Sequence, residues 1–111
     1  VKVFKGWFHD RPDNFTGIVE SENGDKAWYL NGKRHRVDGP AEEWSDGTKF
    51  WFLDGESHRV DGPAVEFASG NKHWCLNGVR MLEEEHTKKT AYLRTTLGKL
   101  IFSEHFKLDE S

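Results

Sequence analysis

The sequence predicts a mainly β protein with a C-terminal α segment: an antiparallel β-hairpin repeat sheet of period 23, capped by one or two helices. Three observations lead there. His35-Arg36-Val37-Asp38-Gly39-Pro40-Ala41 returns unchanged, 23 residues later, as His58-Arg59-Val60-Asp61-Gly62-Pro63-Ala64. Trp28, Trp51 and Trp74 keep the same step, as do Leu30, Leu53 and Leu76, and Gly32, Gly55 and Gly78. After Asn77-Gly78 the apolar spacing becomes helical. Self-similarity at a fixed period signals a repeat architecture, in which each unit buries its apolar side against the next.

Residues 1–27 read as a degenerate terminal copy. Gly6-Trp7-Phe8 resembles the aromatic start, and Thr16-Gly17-Ile18-Val19-Glu20 the Asp-Gly-Pro-Ala segment. Asn23-Gly24-Asp25-Lys26 aligns with Asp46-Gly47-Thr48-Lys49 and Ser69-Gly70-Asn71-Lys72. Terminal repeats depart from the pattern because one side faces water. His9 to Asn14 has no counterpart and is expected to form a surface loop.

In the next two copies, Ala41-Glu42-Glu43-Trp44 and Ala64-Val65-Glu66-Phe67 are short strand candidates. Each is followed by a turn with glycine where positive φ is needed. The chain returns through Lys49-Phe50-Trp51-Phe52-Leu53 and Lys72-His73-Trp74-Cys75-Leu76, residue types that fit a pleated surface. Alternation puts Trp and Leu on one face, and Ala27, Tyr29, Phe50, Phe52, His73 and Cys75 on the other. Asn31-Gly32 and Asp54-Gly55 are turn signals. The Asp before Gly-Pro is suited to accept backbone amides, and the neighbouring His and Arg to bond carbonyls or the Asp of an adjacent copy.

From Leu82 onward, Leu82, His86, Thr90, Leu93 and Leu97 form a stripe at helical spacing, with Glu83, Glu84 and Glu85 at its start. Gly98 is expected to end or kink this helix. Leu100, Ile101, Phe102, Phe106 and Leu108 make a further apolar stretch, helix or strand, expected to fold back on the sheet. The sequence thus divides into a β-repeat sheet over 1–80 and a helical cap over 81–111 of the same domain.

Composition narrows the function classes. The chain has 111 residues, 35% hydrophobic and 32% charged, yet 14% aromatic. A disordered chain lacks such aromatics, and each one buries about 150–250 Å². The net charge of -3, with interspersed signs, argues against a nucleic-acid partner. One cysteine, Cys75, permits no internal disulfide and fits a reducing compartment. No apolar run has membrane-spanning length, and no signal-peptide pattern opens the chain, so a soluble cytoplasmic protein is expected.

The unit Leu30-Asn31-Gly32-Lys33, then His35-Arg36-Val37-Asp38-Gly39-Pro40-Ala41, resembles MORN-type repeats, most closely the bacterial and bacteriophage variant in which such blocks alternate. Leu53-Asp54-Gly55-Glu56 and Leu76-Asn77-Gly78-Val79 depart at the last position. The resemblance covers residues 17–80. It implies a β-hairpin sheet used as a scaffold or binding surface, with lipid contact proposed for some members, and no catalytic residues.

His35, His58, Asp38 and Asp61 invite a metal or acid–base reading. Two strands per repeat separate equivalent positions by roughly 9–10 Å, too far for neighbouring copies to share one zinc. A device repeated in every unit also suits fold building better than catalysis. Cys75 beside His73 lacks a third member and reads as a small hydrophobe. No catalytic, metal or cofactor site is therefore expected. A protein-binding face is the better reading, carried by exposed aromatics and the positions that differ between copies: Tyr29, Lys33, Arg34, Trp44, Phe50, Phe52, Phe67, His73 and Arg80. The expected partner is another protein. With the bacteriophage resemblance, that becomes a host protein, such as a defence component, modulated or inhibited in the host cytoplasm. The alternatives are a homo-oligomer assembled through sheet edges and a membrane-associated scaffold.

Overall fold

The computed structural model describes residues 2–91. Eleven strands, a 3-10 turn and one helix follow in order among them: β1 (Val3–Lys5), the turn Phe8–Asp10, β2 (Gly17–Glu20), β3 (Lys26–Leu30), β4 (Lys33–Arg34), β5 (Glu42–Glu43), β6 (Lys49–Phe50), β7 (Phe52–Leu53), β8 (Glu56–Ser57), β9 (Val65–Glu66), β10 (Lys72–Leu76), β11 (Val79–Met81) and α1 (Glu83–Thr90). Among the described residues the protein is mainly β, with one helix at their C-terminal end, as the sequence predicts. No helix among the described residues is long and apolar enough to cross a membrane.

The main sheet runs β1-β2-β3-β5-β6-β9-β10-β11, with β4 paired to β3, and β7 and β8 form a separate hairpin. All pairings are antiparallel except β1 with β2, which is parallel. The sheet is therefore mixed, which corrects the all-antiparallel expectation. Gly6-Trp7-Phe8 does not begin a strand either. The N-terminal strand is Val3–Lys5, and Trp7 is exposed ahead of the 3-10 turn.

Each returning segment is shared between two neighbours. Lys26-Ala27 pairs with β5 and Tyr29-Leu30 with β4. Between them, the Trp28 amide donates to the Ala41 carbonyl at 2.7 Å, as the Trp51 amide does to Ala64 at 2.7 Å. The chain must step from one neighbour to the other at the tryptophan, and this is where β6 and β7 part. The tips are tight hairpins. Asn31, Asp54 and Asn77 have φ of 52°, 50° and 50°, followed by Gly32, Gly55 and Gly78 at 84°, 83° and 83°. Two successive positive φ values define the turn that matches strand twist, and Asn-Gly or Asp-Gly supplies them at least cost.

The His-Arg-Val-Asp-Gly-Pro-Ala loops lock the copies together. His35 Nδ1 accepts the Asp54 amide at 3.0 Å, and His58 Nδ1 accepts the Asn77 amide at 2.9 Å. Each histidine thus braces the turn of the following copy through an amide, and His35 also lies 3.4 Å from the Asp54 carboxylate, the expected contact with an Asp of the adjacent copy. Accepting at Nδ1 leaves the ring proton on Nε2. Arg36 and Arg59 lie over the Trp28 and Trp51 rings, 4.0 and 3.8 Å from the centroids. Their guanidinium groups donate to the Pro40 and Pro63 carbonyls at 3.1 Å each, and also pair with Glu43 and Glu66. Asp38 and Asp61 accept from Arg36 and Arg59 side chains at 3.0 and 3.2 Å. That corrects the expected amide-accepting role: arginine, folded back over tryptophan, reaches the carboxylate first.

The helix begins where a third such loop would start. Its three glutamates occupy the first turn and Lys88 and Lys89 the last, both favourable to the helix dipole. His86 and Thr90 are buried, with His86 Nε2 2.6 Å from the Arg59 carbonyl, and α1 packs against β10. Leu82 departs from the predicted stripe. It is the N-cap residue, extended in backbone and 74% exposed. The expected continuation through Leu93 and Leu97, the break at Gly98 and the apolar stretch Leu100 to Leu108 lie outside the described residues.

Candidate functional site: an aromatic sheet face

Register decides which side chains meet. Val19 stands opposite Ala27, Ala27 opposite Glu42, Glu42 opposite Phe50, Phe50 opposite Val65, and Val65 opposite His73. These residues share one face. Two positions along their strands, alternation adds Tyr29, Trp44, Phe52, Phe67 and Cys75 to it. Tyr29 pairs with Arg34 and Cys75 with Arg80, so both arginines belong to this face at the hairpin tips.

The N-terminal end of the face is covered. Phe15, Val19, Ala27 and Tyr29 form a buried cluster with Phe4 and Phe8 packed against it. Phe15 meets Phe4 and Tyr29 edge-on, with centroids 6.0 and 6.5 Å apart. The His9–Asn14 stretch lies at the surface, as the sequence predicts, except for Arg11. Arg11 inserts from it, 4.1 Å above the Tyr29 ring, and donates to the Phe8 and Gly32 carbonyls at 2.8 and 3.2 Å.

Beyond Tyr29 the N-terminal segment gives no further cover, and among the described residues an aromatic stripe continues. Phe50 lies 5.2 Å from Trp44, 6.1 Å from Phe52 and 6.1 Å from Phe67, and Phe67 lies 5.2 Å from His73. Phe50, Phe52, Phe67 and His73 are half-buried, and Trp44 is 39% exposed. Arg34 sits 5.4 Å from the Phe52 centroid. Of the residues expected to bind a partner, Arg34, Trp44, Phe50, Phe52, Phe67, His73 and Arg80 therefore come together on one face. Tyr29 is 5% exposed, inside the core cluster. Lys33 pairs with Leu30 on the opposite face, since one residue's step along a strand reverses the side chain.

Glu42 belongs to this face and was not singled out from sequence. It is buried, its carboxylate ion-paired with Arg34 Nε at 2.7 Å and accepting the Trp44 indole N–H at 2.5 Å. A charge without partners at such a position is costly, whereas this one is held from both sides. The sequence does carry the signal, because Val19 and Val65 occupy the equivalent places. The pairing fixes the Trp44 ring, which pre-organises the most exposed member of the stripe.

The other candidate chemistry resolves into structure. His35 and His58 are buried beneath neighbouring turns. Among the described residues, no three His, Cys, Asp or Glu side chains are grouped to hold a metal. Burial pushes the Cys75 thiol up from its ordinary value, with the Arg80 guanidinium pulling it partly back. The thiolate is the nucleophile, so Cys75 should resist alkylation at pH 8 in the native protein and react at the rate of a free thiol in denaturant. Native and denatured rates with iodoacetamide measure this, and equal rates would contradict the burial. Comparison with family models, with curated proteins and with solved structures finds no match.

Proposed function

We propose that the chain is a non-enzymatic protein-binding module whose contact surface is the Trp44-Phe50-Phe52-Phe67-His73 stripe, flanked by Arg34 and Arg80. One observation carries this reading: among the described residues, the N-terminal segment covers the first part of the aromatic face and leaves the rest half-buried. A rigid apolar stripe rimmed by arginine has the composition of a protein interface, where aromatic and Arg residues are enriched. The resemblance of the repeats to the bacteriophage variant makes the proposed partner a bacterial host protein, which the bound module modulates or inhibits.

Affinity capture from bacterial lysate, followed by titration of the identified protein, tests the reading. Trp44→Ala should weaken that complex by about 2 kcal/mol or more, the cost typical of a central anchor. Trp44→Ala also takes the indole N–H from the buried Glu42 carboxylate, so thermal unfolding measured alongside must show the variant still folded for the lost affinity to count. The absence of any saturable partner would end the proposal, as would a partner that binds Trp44→Ala unchanged.

A further inference from the structure

The opposite face carries a row of charges that the register aligns. Lys5 faces Glu20, Glu20 faces Lys26, Lys26 faces Glu43, Glu43 faces Lys49, Lys49 faces Glu66, and Glu66 faces Lys72. The signs alternate throughout, as favourable cross-strand pairs require. Lys26 and Lys49 each have a glutamate on both sides and are half-buried. Lys72 has one glutamate and is exposed.

Among the described residues, Lys72-His73 pairs with β9 on one side and with no strand on the other, because β11 begins its pairing at Trp74. The two preceding returns show what such an edge receives. Lys26-Ala27 takes Glu42-Glu43 antiparallel, and Lys49-Phe50 takes Val65-Glu66. In both, the tryptophan amide that follows donates to an alanine carbonyl at 2.7 Å. Trp74 holds the same place on β10. Each received segment reads Ala, then a residue buried on the aromatic face, then Glu opposite Lys, then an aromatic side chain.

We propose that the Lys72-His73 edge of β10 accepts an extended acidic segment of another protein, added antiparallel as a further strand with the pattern small–apolar–Glu–aromatic. Main-chain bonds supply affinity in this mode and alternate side chains supply specificity. Alanine is required at the first position because Ala41 and Ala64 are fully buried. The glutamate would complete the pair of charges around Lys72. The aromatic would lie against His73 as Phe67 lies edge-on against Phe50. A second copy of this chain is disfavoured as the added strand. Among the described residues the charge row ends in lysine at both edges, Lys5 and Lys72, so self-pairing brings like charges together. The edge meets the aromatic stripe at His73, but its main-chain bonds and the Lys72 pair lie outside the stripe, so the inference does not depend on the function proposed for that stripe.

A labelled peptide with the sequence of residues 62–70, titrated into the full chain by fluorescence anisotropy, provides the test. A second peptide carries lysine in place of its glutamate. The unaltered peptide should bind saturably and at least about fivefold more tightly than the lysine peptide, with the order reversed on Lys72→Glu. Trp44→Ala should bind the peptide as the unaltered chain does, which separates failure here from failure of the aromatic-face reading. No saturable binding to the full chain, from whatever cause, overturns the proposal. So does an equal preference for the two peptides, or an affinity that Lys72→Glu leaves unchanged.

Discussion

Gly32→Ala should destabilise the protein by about 3 kcal/mol or more, while Gly55→Ala and Gly78→Ala should each cost about 1 kcal/mol. All three glycines hold the same turn position with φ of 83–84°. The conformational cost of a side chain is therefore common to them. Their surroundings are not. A Cβ at Gly32 would stand 2.2 Å from the Asp13 carbonyl oxygen, whereas at Gly55 and Gly78 the nearest atoms are the Lys33 and Glu56 Cβ at 3.7 Å. Asp13 cannot withdraw freely. Its segment is held by the Gly32 amide donating to the Phe15 carbonyl at 2.9 Å, and by Arg11 donating to the Gly32 carbonyl. Denaturant unfolding measures the difference through the shift in midpoint at constant slope. Equal losses at the three glycines would show that the N-terminal segment does not press on the first hairpin as described. The same substitution should expose Tyr29 and Phe15, since that segment covers them.

His58→Ala should cost about 3 kcal/mol, combining a part-buried amide left without this acceptor with the cavity left by the buried ring. The Asn77 amide is the donor concerned. His35→Ala should cost a similar amount through the Asp54 amide. Thermal unfolding gives the stability change, and hydrogen exchange at the Asn77 and Asp54 amides locates it. Faster exchange should be confined to the turn following the altered histidine. A histidine serving catalysis behaves in the opposite way, because its removal leaves stability intact. An unchanged melting temperature would therefore return His35 and His58 to the list of candidate catalytic groups.

Much of the fold is legible in the sequence because it depends on local geometry. Asn31-Gly32, Asp54-Gly55 and Asn77-Gly78 demand turns through their backbone preference alone. The strand partners of Phe50 and His73 follow from alternation once the turns are placed. Glu83 to Glu85 mark a helix start through their charge. The misplaced elements are those where long-range contact overrides local pattern. Gly6-Trp7-Phe8 matches the aromatic start in composition, yet parallel pairing of Val3–Lys5 with β2 carries the sheet. Leu82 fits the helical stripe but caps the helix, so its side chain never reaches the core. Asp38 has the sequence setting of an amide acceptor, but it pairs with Arg36, whose guanidinium is held above the Trp28 ring and by the Pro40 carbonyl and Glu43.

The candidate site divides the same way. Arg34, Trp44, Phe50, Phe52, Phe67, His73 and Arg80 were identifiable as exposed aromatics or positions that vary between copies. Tyr29 and Lys33 met the same criteria and left the site for different reasons. Tyr29 is covered by Arg11 and Phe15, residues distant in sequence, and Lys33 is turned to the other face by one step of register. By itself the sequence determined the repeat pattern, the turns and the alternation of faces, because each follows from the backbone preferences of a few adjacent residues. Only the tertiary structure decided which part of the aromatic face the N-terminal segment covers, how Glu42 is paired and how the charge row is aligned. Those depend on which strands lie side by side, and that is set by contacts between residues far apart in the chain.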